Sequence, residues 1–521
     1  MSRDKLIPIR GLFLLLLLIV YVAIPNDRPD FTRFNAHDSE SYLALSYNLA
    51  HGNGYTRNLD GAYVTHTLWP PGMAMLLMPS VVLSGDNINW FLVKFTMMLV
   101  GLVGIVFSWL YIRRLSGSTR LADIGTLVIA LNPYYWHFSH VAMAEIPVFV
   151  WCVMALYLAD RLMDKPIRNL GLFLLGLVTG AGVLLKGMVL GLVFLPLSRL
   201  PVLSRWRIDF SQLLKCSVFA LGFIVVFASW GVRNSQYDRH GLGLDGVNQV
   251  QMMIKEVVED PQSPYKSPAA IINTVKENLF WYGIYHLPNQ MIPGLWLLDI
   301  EQRPMSAAIG LALSAIILFL LIPRRQRLVP LFLLISSMVF MVALIEIGGS
   351  ERYWFAISML ALVMVFCQLN RVGLLLKRFQ LRRQMAVNSV AVVVSCLSLA
   401  LYINKHEAMP YNSTDAWPQL AQIYEANRGL CNDDSEPQIA SVYTKNVHAF
   451  RLISGCPASM TVPGIGYQPK YSHAILDKRA LQANVADLTQ FDENDVWIFV
   501  ALPKPLSEAE IKQSYYGSSG V

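Results

Sequence analysis

Residues 37–72 read HDSESYLALSYNLAHGNGYTRNLDGAYVTHTLWPPG. This polar, acidic and aromatic-rich stretch is set between two strongly apolar ones, and its reading decides the fold. Asp38 and Glu40 open it, and Tyr42, Leu43, Leu45, Leu49 and Ala50 follow at spacings that give a helix an apolar face. Gly52-Asn53-Gly54 ends that helix, and Trp69-Pro70-Pro71-Gly72 is a second turn signal that starts the next apolar run. Carboxylates held beside a membrane are costly unless they serve a function, so chemistry is sought here first.

The chain has 521 residues, of which 54% are hydrophobic and 15% charged, against roughly 25% charged in soluble proteins. Its mean hydropathy is +0.43. Most of the chain therefore belongs in lipid. The net charge of +7 is accounted for by short basic loops between apolar spans rather than by a nucleic-acid surface, because Lys and Arg gather on the cytoplasmic side of membranes. Six cysteines without a C-x-x-C motif make neither a disulfide framework nor a zinc site. Cys152, Cys216, Cys367 and Cys396 fall in apolar runs and read as small core residues.

Arg3, Lys5 and Arg10 precede the apolar run 11–25, which reads as an uncleaved first span with the N-terminus inside. The outer loop 26–89 then carries the acidic stretch outside. Within it, the run 73–83 has about 11 residues where a span needs ~20, so an interfacial helix is expected. The chain then returns through 90–112, leaving Arg113, Arg114 and Arg120 inside, as the positive-inside rule requires. Runs 121–132 and 145–158 follow, joined by an aromatic-rich outer turn. The run 170–197 is basic at both ends and must turn back on itself, with Lys186 at its outer tip. Its arms of about 16 and 11 residues make ~24 and ~17 Å of α-helix, short of the ~30 Å hydrocarbon core. Run 213–230, the outer loop 232–305, and runs 306–322, 328–345, 354–369 and 386–403 complete the series. The expected fold class is a polytopic α-helical membrane protein of about 11 spans with outer juxtamembrane helices. Composition changes at Asn404. Residues 404–521 read as a small soluble α/β domain outside the cytoplasm, leaving 1–403 as the membrane-embedded domain. Cys431 and Cys456 lie in that oxidising compartment and are expected to form a disulfide.

Gly241-Leu242-Gly243-Leu244-Asp245-Gly246 fits G-x-G-x-x-G, but no buried strand precedes it and no helical pattern opens at its end, so it reads as loop. Asp38, Glu40, His66, Glu145, Lys186, Arg233, Glu351 and Arg352 come from distant parts of the chain, and the topology brings all of them to the outer membrane face. Singly, each has an ordinary account. Asp38 or Glu40 caps a helix, Glu145 complements a helix dipole, and Glu351 with Arg352 makes an interfacial ion pair. Lys186 snorkels to the headgroups, and His66 is a loop histidine. Acids and bases converging on one face point instead to a cavity for an anionic, lipid-linked substrate.

Asp38-x-x-x-Tyr42-Leu43-x-Leu45, then Gly52-x-Gly54-Tyr55, then Pro70-Pro71-Gly72 resemble the first outer loop of the polyprenyl-phosphate-sugar-dependent membrane glycosyltransferases of the GT-C type. That superfamily includes the protein O-mannosyltransferases and the lipid A aminoarabinose transferases. Asn132-Pro133 with Glu145, Leu185-Lys186-Gly187, Arg233-Asn234 and Glu351-Arg352-Tyr353 follow in the family's order, so the resemblance covers residues 1 to about 400. It departs from the family in two places. Asp38-Ser39 stands where an Asp-Glu pair is common, with the second acid displaced to Glu40. Lys186 stands where arginine is common, which keeps the charge but loses bidentate phosphate geometry.

The resemblance implies a glycosyltransferase of the bacterial inner membrane whose site faces the periplasm. It would transfer a sugar from a polyprenyl-phosphate-linked donor to an acceptor hydroxyl on a glycan, lipid or protein. By the same resemblance Asp38 is the general base with Glu40 beside it. Lys186, Arg233 and Arg352 bind the donor phosphate, while His66, Glu145, Glu351 and Tyr353 line the substrate cavity. A divalent metal, where one is used, would be held by Asp38, Glu40 and Glu145. The competing class is a transporter or flippase for a lipid-linked saccharide, which calls for matched polar positions near the midplane of two related halves.

Overall fold

A computed structural model of the chain describes residues 36–59, 62–85, 88–164, 167–198, 200, 203–204, 207–237, 249–256, 263–292, 295, 304–323, 325–345, 351–375 and 394–401. The expected first span at 11–25, the motif 241–246 and the domain 404–521 with Cys431 and Cys456 lie outside these residues. The first helices are α1 (Ala36–Ala50), α2 (Gly72–Ser84), α3 (Trp90–Ser116), α4 (Thr119–Ala130), α5 (Pro133–Phe138), α6 (Glu145–Leu162) and α7 (Asn169–Gly180). They are followed by α8 (Phe210–Ser235), α9 (Gln249–Ile254), α10 (Pro268–Trp281), α11 (Leu287–Met291), α12 (Pro304–Leu321), α13 (Val329–Ala343) and α14 (Glu351–Leu375).

The acidic stretch folds as its spacing predicts. Tyr42, Leu43 and Leu45 of α1 are buried. Gly52 (φ 78°) and Gly54 (φ 75°) end the helix in the left-handed region that a Cβ disfavours. The chain then forms an antiparallel hairpin, β1 (Thr56–Leu59) with β2 (Ala62–Thr65), tied to α1 where Asn48 Nδ2 donates to Thr56 O at 2.7 Å. The 13 residues of α2 make only ~20 Å of helix, too short to span, and they pack along α1 and α3.

Capping side chains fix where the next helices begin. Asn89 starts α3 and Ser118 starts α4, each accepting a backbone N–H three residues on. Asn132 accepts from Tyr134 N and Tyr135 N, with Pro133 at the first helical position of α5. The expected outer turn at 133–137 is thus a short helix with Tyr134, Tyr135 and Phe138 buried.

Helix α14 is the hub, packed on α3, α4, α6, α11, α12 and α13. Its apolar window is 83% buried, against 17% for that of α8, which therefore forms an outer wall. Among the described residues, four helical segments are long and apolar enough to cross a membrane: Phe91–Ser116, Phe210–Ser235, Gln326–Ala343 and Arg352–Leu369. The chain is an integral membrane protein. The expected run 121–132 is the 12-residue α4, shorter than a full span, and only residues 394–401 of the expected run 386–403 are described.

In the run 170–197, α7 passes into a 3-10 turn (Ala181–Leu184), the chain breaks at Leu185-Lys186, and a 3-10 helix (Gly187–Ser198) follows. The arms pack against each other, α7 also against α8 and the 3-10 helix against α13. A 3-10 helix rises ~2.0 Å per residue. The second arm is therefore ~24 Å long rather than ~17 Å, and the first ~26 Å. Lys186 stands nearer the end of the bundle than α-helical arms would place it. A Cβ on Gly176 would strike Phe219 O, and one on Gly222 would strike Phe173 O. Small residues here let α7 and α8 approach backbone to backbone. A two-residue-per-strand hairpin, β3 (Leu203–Ser204) with β4 (Arg207–Ile208), precedes α8.

The loop 232–305 departs most from expectation. It contains α9, α10, a π-helical turn (Tyr282–His286) and α11, and Tyr282, His286, Leu287 and Gln290 are buried. Side-chain amides tie this insertion down. Asn278 Nδ2 donates to Ala343 O (2.9 Å) and Ile345 O (2.8 Å), and Asn132 Nδ2 donates to Gln290 O (2.6 Å). The carbonyls at the end of α13 have no intrahelical donor, so an amide there satisfies what the helix leaves open.

Candidate active site

Glu145 opens α6 and is 3% exposed. Lys186, at the break between the two arms, donates to Glu145 Oε1 at 3.0 Å, and its ammonium lies 4.8 Å from the centre of the Tyr353 ring. The guanidinium of Arg352 stands 4.7 Å from the same ring and donates to the Tyr353 hydroxyl at 2.6 Å. The Tyr353 ring thus meets two cations, and Glu145 pairs with one of them, Lys186. Glu145 Oε2 is buried without a hydrogen-bond partner, which leaves one oxygen of that carboxylate for something else. Tyr282 stacks on Trp354, with centroids 5.1 Å apart and planes at 5°. Burial raises the Tyr282 phenol to about 12, with Arg352 pulling the other way. It therefore remains a protonated donor at neutral pH.

The first outer loop reaches this cluster through Gly72. A Cβ there would lie 2.5 Å from Leu184 O and 3.0 Å from Leu185 N. The Pro70-Pro71-Gly72 turn therefore rests on the backbone of the lysine turn, and two of the quoted motifs meet.

Arg233 and His66 form a second group with its own partners. Arg233 ends α8 and donates to His66 O, to Asn234 Oδ1 (2.8 Å) and to Tyr55 O (3.5 Å). Its guanidinium sits by the rings of Trp230 (4.9 Å), Tyr237 (5.0 Å) and Tyr55 (5.5 Å). Asn234 Nδ2 donates to Thr67 O at 2.8 Å. Buried His66 accepts from Trp69 N through Nε2 (2.9 Å), and the Tyr55 hydroxyl donates to Trp69 O (2.8 Å) and Pro70 O (3.1 Å). Arg233 thus gives its donors to the backbone of the loop that ends on Gly72.

The backbones of Asp38 and Glu40 lie in the first turns of α1, and Glu351 opens α14; the side chains of all three lie outside the described part. Among the described residues no group of three or more His, Cys, Asp or Glu gathers to hold a metal. Glu145, the described member of the expected metal set, has one oxygen on the Lys186 ammonium.

Sequence reading passed over several residues. Lys94 is buried in α3, and an ionisable residue near the start of an apolar run is the signal that could have found it. Asp160, 3% exposed, bonds to Arg114 near the C-terminal end of α6, so buried charge occupies both ends of that helix. The stacked Tyr282 and Trp354 are separated by 72 residues of sequence with no motif to link them.

No protein-family model and no curated protein matches the chain. Solved structures do. ArnT from Cupriavidus metallidurans bound to undecaprenyl phosphate aligns with a TM-score of 0.52 at 13% identity, over 88% of this chain and 86% of that one. The archaeal oligosaccharyltransferase AglB from Archaeoglobus fulgidus, in complex with an inhibitory peptide and a dolichol-phosphate, gives 0.46 at 13% identity over 86% and 64%. A complex of the Archaeoglobus fulgidus oligosaccharyltransferase with Zn and sulfate gives 0.46 at 14% identity over 86% and 61%. The ArnT alignment shows a shared fold.

Proposed function

We propose that the chain is a membrane glycosyltransferase that moves a sugar from a polyprenyl-phosphate-linked donor to an acceptor hydroxyl on a glycan, lipid or protein. The observation that carries this reading is the cluster of Lys186, Arg352 and Tyr353 against buried Glu145. Two cations are held in place before any ligand arrives, in a fold shared with an ArnT that binds undecaprenyl phosphate.

In the proposed reaction the acceptor oxygen attacks the anomeric carbon. The bond from that carbon to the phosphate oxygen breaks, and its electron pair leaves with the lipid phosphate. The acceptor's proton passes to the Asp38 carboxylate, with Glu40 as the neighbouring acid. Charge growing on the departing phosphate meets Lys186 and Arg352, already oriented by Glu145 and Tyr353; preorganised cations of this kind stabilise a transition state without reorganisation. Phosphate leaves without protonation, so no general acid is required. Glu145, Glu351, Tyr353 and His66 shape the cavity. Arg233 acts at one remove, by holding the loop that supports the lysine turn. No step is assigned to a metal.

The membrane domain is 1–403, and 404–521 is a periplasmic domain of a bacterial inner-membrane protein. The test is transfer by the purified protein, given labelled polyprenyl-phosphate sugars and membrane extracts. Label is expected to move to an acceptor and release lipid phosphate. Movement of intact donor across vesicles without transfer would make the chain a transporter instead.

A further inference from the structure

A second polar cavity lies at the opposite end of α6 from Glu145. It has a volume of about 370 Å³ and is lined by Arg114, Leu115, Ser198, Arg325, Gln326 and Arg327, a size within the ~300–1,000 Å³ usual for ligand sites. Its walls come from the end of α3, the end of the 3-10 helix and the turn before α13. Each wall is fixed independently. Arg325 Nη1 donates to Leu115 O, and Gln326 Nε2 donates to Leu197 O at 3.2 Å.

Three arginines line this space, and among the described residues the carboxylates paired with them are Asp160 and Asp164. Arg114 bonds to both through Nε and Nη2. Arg327 stays 3.9 Å from Asp160 and 3.7 Å from Asp164, beyond hydrogen-bonding distance. Arg114 takes one oxygen of each acid, and Arg327 stands beside both without a hydrogen bond to either. Arg325 has bonded through one nitrogen only. Among the described residues the cavity is therefore net positive, with three arginines against two carboxylates; the arginine fork matches tetrahedral oxyanions and binds them through paired, charge-assisted hydrogen bonds. Leu162, two residues past Asp160, and Ile322, three residues before Arg325, are apolar and 51% and 53% exposed, as suits a site reached from a bilayer.

We propose that this cavity binds a phosphate group, and that its source is the headgroup of an anionic phospholipid in the leaflet away from the glycosyl-transfer site. The site lies outside the proposed active site and stands or falls independently of it. A bound headgroup would brace α3, the 3-10 arm that carries Lys186 at its far end, and α13.

The test uses the full-length purified protein in neutral detergent. Its thermal unfolding is followed while phosphatidylglycerol, phosphatidylcholine or inorganic phosphate is titrated in. Phosphatidylglycerol should raise the unfolding temperature by several degrees, and phosphatidylcholine should not. Inorganic phosphate competing with that shift would show that the phosphate alone is recognised; failure to compete would assign the acyl chains a share. Arg327→Gln and Arg325→Gln should each weaken the apparent lipid affinity about tenfold. Arg113→Gln, at the same helix end but outside the cavity, should leave it unchanged. Equal stabilisation by both lipids in the wild-type protein overturns the proposal. So does a phosphatidylglycerol shift kept in full by both cavity variants. The wild-type comparison stands even if a variant fails to fold.

Discussion

Glu145→Gln should make the protein bind its lipid phosphate more tightly, although it removes one partner of a buried ion pair. Lys186 Nζ lies 3.0 Å from Glu145 Oε1. A phosphate oxygen bonded to the other side of the ammonium, at ~2.8 Å, stands about 6 Å from the carboxylate. Two unit negative charges at that separation repel by ~2.8 kcal/mol at an effective dielectric of ~20. The Lys186 side chain keeps 22% of its surface exposed, and water entering there would halve the repulsion to ~1.4 kcal/mol, or tenfold in affinity. Glutamine keeps an oxygen for the ammonium, so the lysine stays aimed. Lys186→Ala should do the reverse. It removes a charge-assisted bond worth ~1.5–3 kcal/mol, weakening binding roughly ten- to hundredfold. It also leaves a buried carboxylate without its cation, which lowers stability. The double variant Lys186→Ala/Glu145→Gln separates these effects, because it should recover thermal stability without recovering affinity. The assay is equilibrium binding of undecaprenyl phosphate to the purified protein, with unfolding temperature measured in parallel. Weaker binding in Glu145→Gln, or unchanged binding in Lys186→Ala, would refute the competition and leave the pair as a structural bridge.

Asp38→Asn should keep the protein folded and inserted while turnover falls by about 10²–10⁴, since an amide cannot take the acceptor's proton; near-normal turnover, together with loss in Glu40→Gln, would move the base to Glu40. Arg233→Ala should free the loop 52–72 from its carbonyl bonds and ring contacts, seen as faster proteolysis of that loop and a lower kcat with lipid-phosphate affinity changed less than threefold. Gly72→Val should drive a side chain into Leu184 O at a cost of about 1–3 kcal/mol, and weaken donor binding through the displaced lysine turn; an unchanged affinity would separate the two motifs functionally. Arg352→Lys should retain charge but lose the fixed bond to the Tyr353 hydroxyl, slowing turnover more than it weakens binding.

What could be read from the chain was whatever local chemistry determines. Gly52 and Gly54 announce a left-handed exit from α1 because few other residues tolerate it. Asn89, Ser118 and Asn132 mark helix starts because a short polar side chain reaches the open N–H groups beyond it. Lys186 was found from charge balance at the ends of an apolar run, and its break is there in the fold. Its partner was not legible as a partner. Glu145 lies 41 residues away, and nothing in the spacing links a helix start to a distant turn. The arm lengths were misjudged because periodicity does not separate α from 3-10 geometry in a run rich in glycine and leucine. The insertion at 268–291 was read as part of an outer loop because it lies between two apolar runs. Asn278 instead donates to backbone left open at the end of α13, and the Gln290 carbonyl accepts from the Asn132 amide, pairings that only tertiary contact reveals. Arg233 was placed by its motif and its charge; the three aromatic rings and backbone carbonyls around it come from distant segments and left no sign in the sequence.

The two ion pairs of α6 also bear on how the chain is made. Its C-terminal acid Asp160 pairs with Arg114, a residue synthesised earlier and already waiting at the end of α3. Its N-terminal acid Glu145 depends on Lys186, which emerges 41 residues later. At ~5–20 residues per second the carboxylate is without its cation for roughly 2–8 s. For that interval α6 is anchored at one end only, and Glu145 must remain near water or protonated until the lysine turn arrives. A nascent chain arrested before residue 186 should therefore hold α6 loosely at its Glu145 end. One arrested after the 3-10 arm has left the ribosome should hold it at both.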